Sequence, residues 1–304
     1  MKTLKKFTSI FSIINFIISH PLNKNNKIKS VIRFIKWQIN TKLNSYPIIY
    51  PFTDKAKLIV QKGMTGATGN LYCGLHEFNE MSFLLHFLRN SDLFIDVGAN
   101  IGSYTILASA HIGSKSLSIE PAPSSFINLS NNIHINKIDD KVRAYNLALG
   151  AQNGYANFTS LHDTTNHIVT EEKELNININ DIIKVKITTL DEIINSNPDI
   201  LLPVILMKID TEGFEKEVLR GSEKLLKKNE LKAIIIELNE REQIDNILSK
   251  FGFKPFQYEP FSRTLNSLDL LHTKTSNAIY IRDLDFVELR LKTAEKFNVL
   301  NQLI

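Results

Sequence analysis

Leu93-Phe94-Ile95-Asp96-Val97-Gly98-Ala99-Asn100-Ile101-Gly102 is where the chain declares its fold. A short apolar run carrying one carboxylate breaks into a turn bounded by two glycines. An amphipathic stretch, Ser103 to Ile112, follows directly. Strand, glycine turn and helix together form a nucleotide-recognition device. Gly98 and Gly102 permit backbone conformations and close approaches that a side chain would block. The helix behind them offers unpaired N–H groups and a positive dipole end to a polar ligand.

Beyond residue 92, strand-like and helix-like segments alternate. Strands are predicted at 93–97, 116–120, 142–147, 204–209 and 233–238, and helices at 101–112, 123–135, 214–227 and 240–250. Such alternation implies a parallel sheet covered on both faces. An insertion, 150–203, interrupts it, with a short hairpin predicted near Tyr155–Thr159, a strand at 185–188 and a helix at 190–195. Two further strands, 253–258 and 277–282, suggest an antiparallel hairpin at the sheet edge. Before the first core strand, the glycine-punctuated stretch Gly63 to Gly74 reads as a loop or bent ribbon, and Glu77 to Leu88 as a helix.

In an open parallel sheet, ligands bind beyond the carboxyl ends of strands where strand order reverses. Asp96 and Gly98 stand at the end of one strand, and Glu120 ends the next, placed to accept hydrogen bonds from ribose hydroxyls. This pattern fits a dinucleotide or S-adenosyl-L-methionine. The dinucleotide fingerprint wants Gly-x-Gly-x-x-Gly, but Asn100 stands where its middle glycine would be. A carboxylate at Asp96 is also unfavourable beside a pyrophosphate, whereas it suits a cationic sulfonium and its amino group. No Gly-Lys-Ser/Thr follows, which excludes a P-loop. The residues favour a methyl donor over a nicotinamide cofactor.

The chain resembles the FkbM family of methyltransferases over most of residues 70–282. The resemblance is carried by Asp92-Leu-Phe-Ile-Asp-Val-Gly-Ala-Asn-Ile-Gly-Ser-Tyr-Thr105, Glu120-Pro-Ala-Pro123, Asn146-Leu-Ala-Leu-Gly150, Thr189-Leu-Asp191, Met207-Lys-Ile-Asp-Thr-Glu-Gly213 with Glu215, and Leu219-Arg-Gly221. It implies a class I methyltransferase fold, Rossmann-like and doubly wound, whose mostly parallel seven-stranded sheet ends in an antiparallel edge hairpin. It also implies S-adenosyl-L-methionine as donor, commonly with oxygen on sugars or other small molecules as acceptor. Tyr104 and Thr105 are candidates to touch the donor's carboxylate, although Tyr104 equally suits packing on the sheet. Pro121 follows the ribose-binding acid. The resemblance places an adenine pocket at Asn146, Ala148 and Leu149.

Asp210 and Glu212 are the leading catalytic candidates, because acids at an apolar strand's tip are costly unless paired or functional. Methyl transfer is chiefly a positioning task, and a base or a metal helps a poor hydroxyl nucleophile. Asp210 is a candidate for donor binding as well as for that base. Asp210, Glu237 and Asn239 together would offer oxygen ligands suited to magnesium. Glu77 and His167 are further base candidates over the cofactor, with His162 behind them. Phe83, Leu84, Phe87 and Leu88 read as core.

The 304 residues are 43% hydrophobic and 22% charged, so the chain can bury a substantial core. A single cysteine, Cys73, excludes an internal disulfide framework and a cysteine-ligated zinc site. Net charge is only +4, yet residues 1–62 hold 12 Lys/Arg against one acid, Asp54. The expected organisation is a basic helical extension (1–62), a glycine-rich loop and helix capping the cofactor site (63–92), a catalytic domain (93–285) and a helical tail (286–304). Phe7 to Ile18 mimics a signal peptide, but no small-x-small cleavage site follows, and it is too short to span a bilayer. A cytoplasmic enzyme is expected, with residues 1–43 in peripheral contact with anionic membrane. The competing readings are a non-catalytic binding module on the same fold and a nucleic-acid methyltransferase using the basic arm. The latter lacks an interleaved aromatic platform and a base-methylating Asn/Asp-Pro-Pro-Tyr/Phe motif.

Overall fold

A computed structural model describes residues 2–43, 46–159, 166–169 and 181–304. His162 lies outside them. Two helices open the chain, α1 (Lys2–Ser19) and α2 (Lys27–Leu43), followed by the hairpin β1 (Ile48–Pro51) and β2 (Lys57–Val60). Then come α3 (Thr65–Cys73), α4 (Phe78–Phe87), β3 (Leu93–Val97), α5 (Ser103–Ile106), β4 (Lys115–Ile119), α6 (Pro123–Ile135) and β5 (Val142–Tyr145). The insertion supplies β6 (Ala148–Leu149), β7 (Gly154–Thr159), β8 (Ile182–Thr188) and α7 (Leu190–Ser196). The main sheet resumes with β9 (Ile205–Ile209), α8 (Glu215–Arg220), α9 (Glu223–Leu226), β10 (Leu231–Glu237) and α10 (Arg241–Leu248). The chain closes with β11 (Lys254–Glu259), β12 (Thr264–Ser267), β13 (Asn277–Ile281), α11 (Leu284–Lys292) and a small antiparallel pair, β14 (Asn298–Val299) and β15 (Gln302–Leu303).

The main sheet has the order β12-β11-β13-β10-β9-β3-β4-β5, parallel from β10 to β5 and antiparallel beyond β10. Its central strands are apolar runs because both faces are covered. Phe94, Leu206, Ala233 and Ile235 join one core, while Leu93, Ile95, Met207, Ile209 and Ile234 join the other. From β3 the chain steps outward to β4 and β5, then returns to place β9 on the other side of β3. Strand order therefore reverses between β3 and β9, which opens a crevice at their carboxyl ends.

Several elements differ from the sequence expectation. Gly63 to Gly74 is mostly helix, because tertiary contacts override two interior glycines. Asn23 and Arg33 capture the Tyr72 carbonyl at its C-terminal end, and a Cβ on Gly69 would stand 2.4 Å from the His76 ring. The expected seven-stranded sheet gains an eighth strand, β12, so β13 lies inside and the β11–β12 hairpin forms the edge. The strand expected at 142–147 ends at Tyr145, and Ala148–Leu149 crosses into a separate sheet of order β6-β8-β7. Tyr155–Thr159 pairs along β8 over its whole length instead of folding on itself. The helix expected at 214–227 breaks at Gly221, where a Cβ would lie 2.0 Å from the Gly150 carbonyl oxygen. The tail after residue 286 is helical only to Lys292.

Candidate active site

The crevice encloses about 260 Å³. Its floor is the turn after β3. The N–H groups of Gly98 and Ala99 both donate to the Ile119 carbonyl at 3.0 Å, which ties the turn to the end of β4. Gly98 has φ +78°, and a Cβ there would stand 1.8 Å from the Asp210 carbonyl oxygen, so only glycine fits. Asn100 adopts the left-handed region at φ +49°. Its N–H donates to Glu120 Oε2 at 2.7 Å, while Ala122 N–H donates to Oε1 at 2.8 Å. Gly102, at φ +87°, caps the following helix and lies against Leu129.

Asp96 is buried in β3, directly opposite Lys208 in β9. Its Oδ2 accepts from the Thr105 N–H at 3.1 Å and hydroxyl at 2.6 Å, while Oδ1 is buried without a hydrogen-bond partner. Burial pushes the Asp96 carboxyl above its usual range against the pull of Lys208. Burial likewise pushes Glu120 up to about 7 although two backbone amides favour its ionised form. Both acids are desolvated, and each has capacity for a polar ligand.

Lys208 is the residue that sequence reasoning missed. Its signal was present: one lysine in an otherwise apolar strand. It is buried, lines the crevice, holds Nζ 2.7 Å from Asp210 Oδ2 and lies 4.7 Å from the centre of the Tyr104 ring. Burial favours the neutral amine, but Asp210, Glu77 and Asp96 outweigh it and raise the pKa. Tyr104 stacks on Phe94 beneath it and lines the crevice.

Beyond β9, Glu212 and Gly213 both take positive φ, +55° and +99°, in a loop pinned by Glu215. That buried carboxylate accepts from Thr211 N–H and hydroxyl at 2.9 Å each and from Gly213 N–H at 3.1 Å. The loop brings Asp210 and Glu212 to Glu237 at the tip of β10, with carboxylate oxygens within 4.8 Å of one another. The side-chain amide of Asn239, expected among the metal ligands, donates its N–H groups to Glu237 Oε2 at 2.7 Å and to Glu215 Oε2 at 3.4 Å. Lys208 supplies a cation to Asp210, and the carboxylates of Asp210, Glu212 and Glu237 stand close enough together to hold a metal ion.

Glu237 is pushed up to about 8, first by burial, then by Asp210 and Glu212. The native state thus holds this proton more tightly than the unfolded chain. The associated stability is full below the ordinary carboxylate pKa of about 4.5 and is lost as pH rises through about 8. In urea unfolding, the stability of the parent relative to Glu237→Gln is expected to fall between pH 5 and 8. The slope would be at most about 1.4 kcal/mol per pH unit. A difference independent of pH would refute the shift.

Of the other expected residues, Pro121, Ala148, Leu149 and Glu77 line the crevice. Glu77 accepts from the Asn277 side chain at 3.2 Å. Thr105 lies behind the surface, supporting Asp96. Asn146 also acts from behind, donating to the Glu120 carbonyl at 2.8 Å and to that of Pro121 at 3.1 Å. His167 is not part of the lining. Asn166 and Ile168 are, because alternate residues of an extended segment face opposite sides. The His167 backbone instead pairs with Thr159.

A family model described as the methyltransferase FkbM domain matches residues 96–258, just over half of the chain. The chain belongs to this family. The FkbM match begins at Asp96 and takes in the glycine turn, Glu120, the insertion, Lys208 and the acidic cluster. Similar solved structures include methyltransferase FkbM from Methylobacillus flagellatus KT, at 15% identity and a TM-score of 0.42, covering 71% of this chain and 55% of that one. Precorrin-6y C5,15-methyltransferase from Geobacter metallireducens GS-15 is 13% identical with a TM-score of 0.41, over 76% and 97%. M. jannaschii TYW2 in complex with AdoMet is 14% identical with a TM-score of 0.37, over 79% and 88%. The chain thus spans little more than half the length of the first of these. No curated protein matches it.

Proposed function

We infer that this FkbM-domain protein methylates a hydroxyl of a sugar, glycan or other small polar molecule, using S-adenosyl-L-methionine. The observation that carries this reading is the division of one crevice into two acidic halves. Asp96 and Glu120 lie at the tips of β3 and β4, and Asp210, Glu212 and Glu237 lie at the tips of β9 and β10. The residues present fit the donor: the buried, unpartnered Asp96 Oδ1 suits a cationic centre, and Glu120 suits vicinal hydroxyls. Ala148, Leu149 and Phe158 give an apolar wall for a base. S-adenosyl-L-methionine supplies an electrophilic methyl group on a positively charged sulfur.

Asp210, held by Lys208, orients the acceptor hydroxyl and takes its proton. Glu237, pushed up to about 8, already carries a proton at neutral pH, which leaves Asp210 as the member of the cluster that takes the acceptor's proton. Glu215 fixes the loop that carries Glu212 beside them. In-line transfer requires positioning more than covalent chemistry from the protein, and these contacts supply it.

Thermal unfolding with the donor and with its demethylated product tests the reading. Ligand at 100 times Kd is expected to stabilise the protein by about 2.7 kcal/mol. Glu120→Gln is expected to weaken donor binding about 10- to 100-fold, the loss of a charge-assisted hydrogen bond. No shift with either ligand would defeat the donor assignment.

A further inference from the structure

We propose that α1 and α2 form a docking face for an anionic lipid surface. Helix α2 is amphipathic twice over. Ser30, Phe34 and Trp37 are buried against the body of the protein. On the opposite side, Ile28, Ile32, Ile35, Ile39 and Leu43 form a stripe at i, i+4, i+7, i+11 and i+15, all exposed, with 78% exposure at each end. At 1.5 Å per residue this stripe is about 22 Å long. The neighbouring α1 adds Phe11, 76% exposed, together with Ile10, Ile13 and Phe16. A helix docked by one apolar face has no use for a second unless something else covers it.

The charge pattern names the occupant. Lys24, Lys27, Lys29, Lys36 and Lys42 are exposed on the same two-helix unit, and no acid occurs before Asp54. Around the α2 axis, Lys29 and Lys36 flank the isoleucine stripe on one side and Lys42 on the other. An apolar stripe bordered by lysines matches an interfacial helix whose apolar face enters the acyl boundary while ammonium groups reach phosphates. A second copy of the same face would oppose lysine to lysine. No described helix is long and apolar enough to cross a membrane, so contact here lies along the surface.

Vesicle sedimentation of the full chain tests the proposal. Phosphatidylcholine vesicles with about 30% phosphatidylglycerol are expected to bind at least about tenfold more tightly than pure phosphatidylcholine, with the difference shrinking at high salt. Ile32→Glu with Ile39→Glu should abolish binding to both, and Lys29→Gln with Lys36→Gln only the anionic preference. All four sites are exposed and outside the crevice, so the thermal shift with methyl donor should persist in each variant. That readout separates this proposal from the transferase reading. Equal binding to both vesicles, or binding indifferent to the isoleucine changes, would overturn it. So would a parent dimer that the glutamates dissociate while vesicle binding is retained.

Discussion

Asp210→Asn is expected to lower kcat by about 10²- to 10⁴-fold, equivalent to about 3–5 kcal/mol of barrier, while donor affinity changes little. Asparagine keeps the shape of the side chain but removes the oxygen that accepts a proton and the charge that holds Lys208 Nζ at 2.7 Å. The donor half of the crevice rests on Asp96 and Glu120, whose hydrogen bonds come from Thr105, Asn100 and Ala122. Those contacts survive the substitution, so donor titration separates loss of chemistry from loss of structure. A variant that turns over at a tenth of the parent rate or faster would remove Asp210 from the proton's path.

Gly98→Ala is expected to destabilise the fold by about 3 kcal/mol, the sum of roughly 1–2 for a left-handed alanine and roughly 1–3 for overpacking. The added methyl would meet the Asp210 carbonyl oxygen at 1.8 Å, a backbone atom that cannot rotate away. Gly63→Ala provides the control: φ there is +97°, but nothing lies within 4 Å of the new Cβ. Only conformational strain should appear at Gly63, about 1–2 kcal/mol. Denaturant unfolding of both variants measures the difference, and equal losses would show that the contact carries no weight.

What the sequence made legible follows its physics. β3 and β9 are five-residue runs, apolar except for Asp96 and Lys208 and covered on both faces, and such runs stand out without a structure. The glycine turn and Glu120 were legible because each residue type does there what few others can. Lys208 was not singled out, since one-dimensional patterning does not say that its ammonium meets Asp210 just beyond the end of its strand. Helix α3 was hidden because Gly66 and Gly69 argue against helix locally, and the captured Tyr72 carbonyl comes from residues about 40–50 positions away. The acidic cluster was half legible. Two strand tips predicted Asp210 and Glu237 together, but the positive φ at Glu212 that turns its carboxylate into the group belongs to loop geometry. The fate of Asn239 as a donor to Glu237 depended on the same packing.

The walls of the crevice are unequal in how they are encoded. The proposed donor side is written mostly in one passage of 25 residues, Asp96 to Glu120, with Ala148, Leu149 and Phe158 added from the insertion. The facing side draws Glu77, Ile168, Asp210, Glu237 and Asn277 from stretches spread over 200 positions. The first is a nearly contiguous cassette, tied to the rest of the sheet by the fit of Gly98 against the Asp210 carbonyl and by Lys208 opposite Asp96. The second is a mosaic, so re-aiming this protein at a different acceptor calls for coordinated changes in several segments at once.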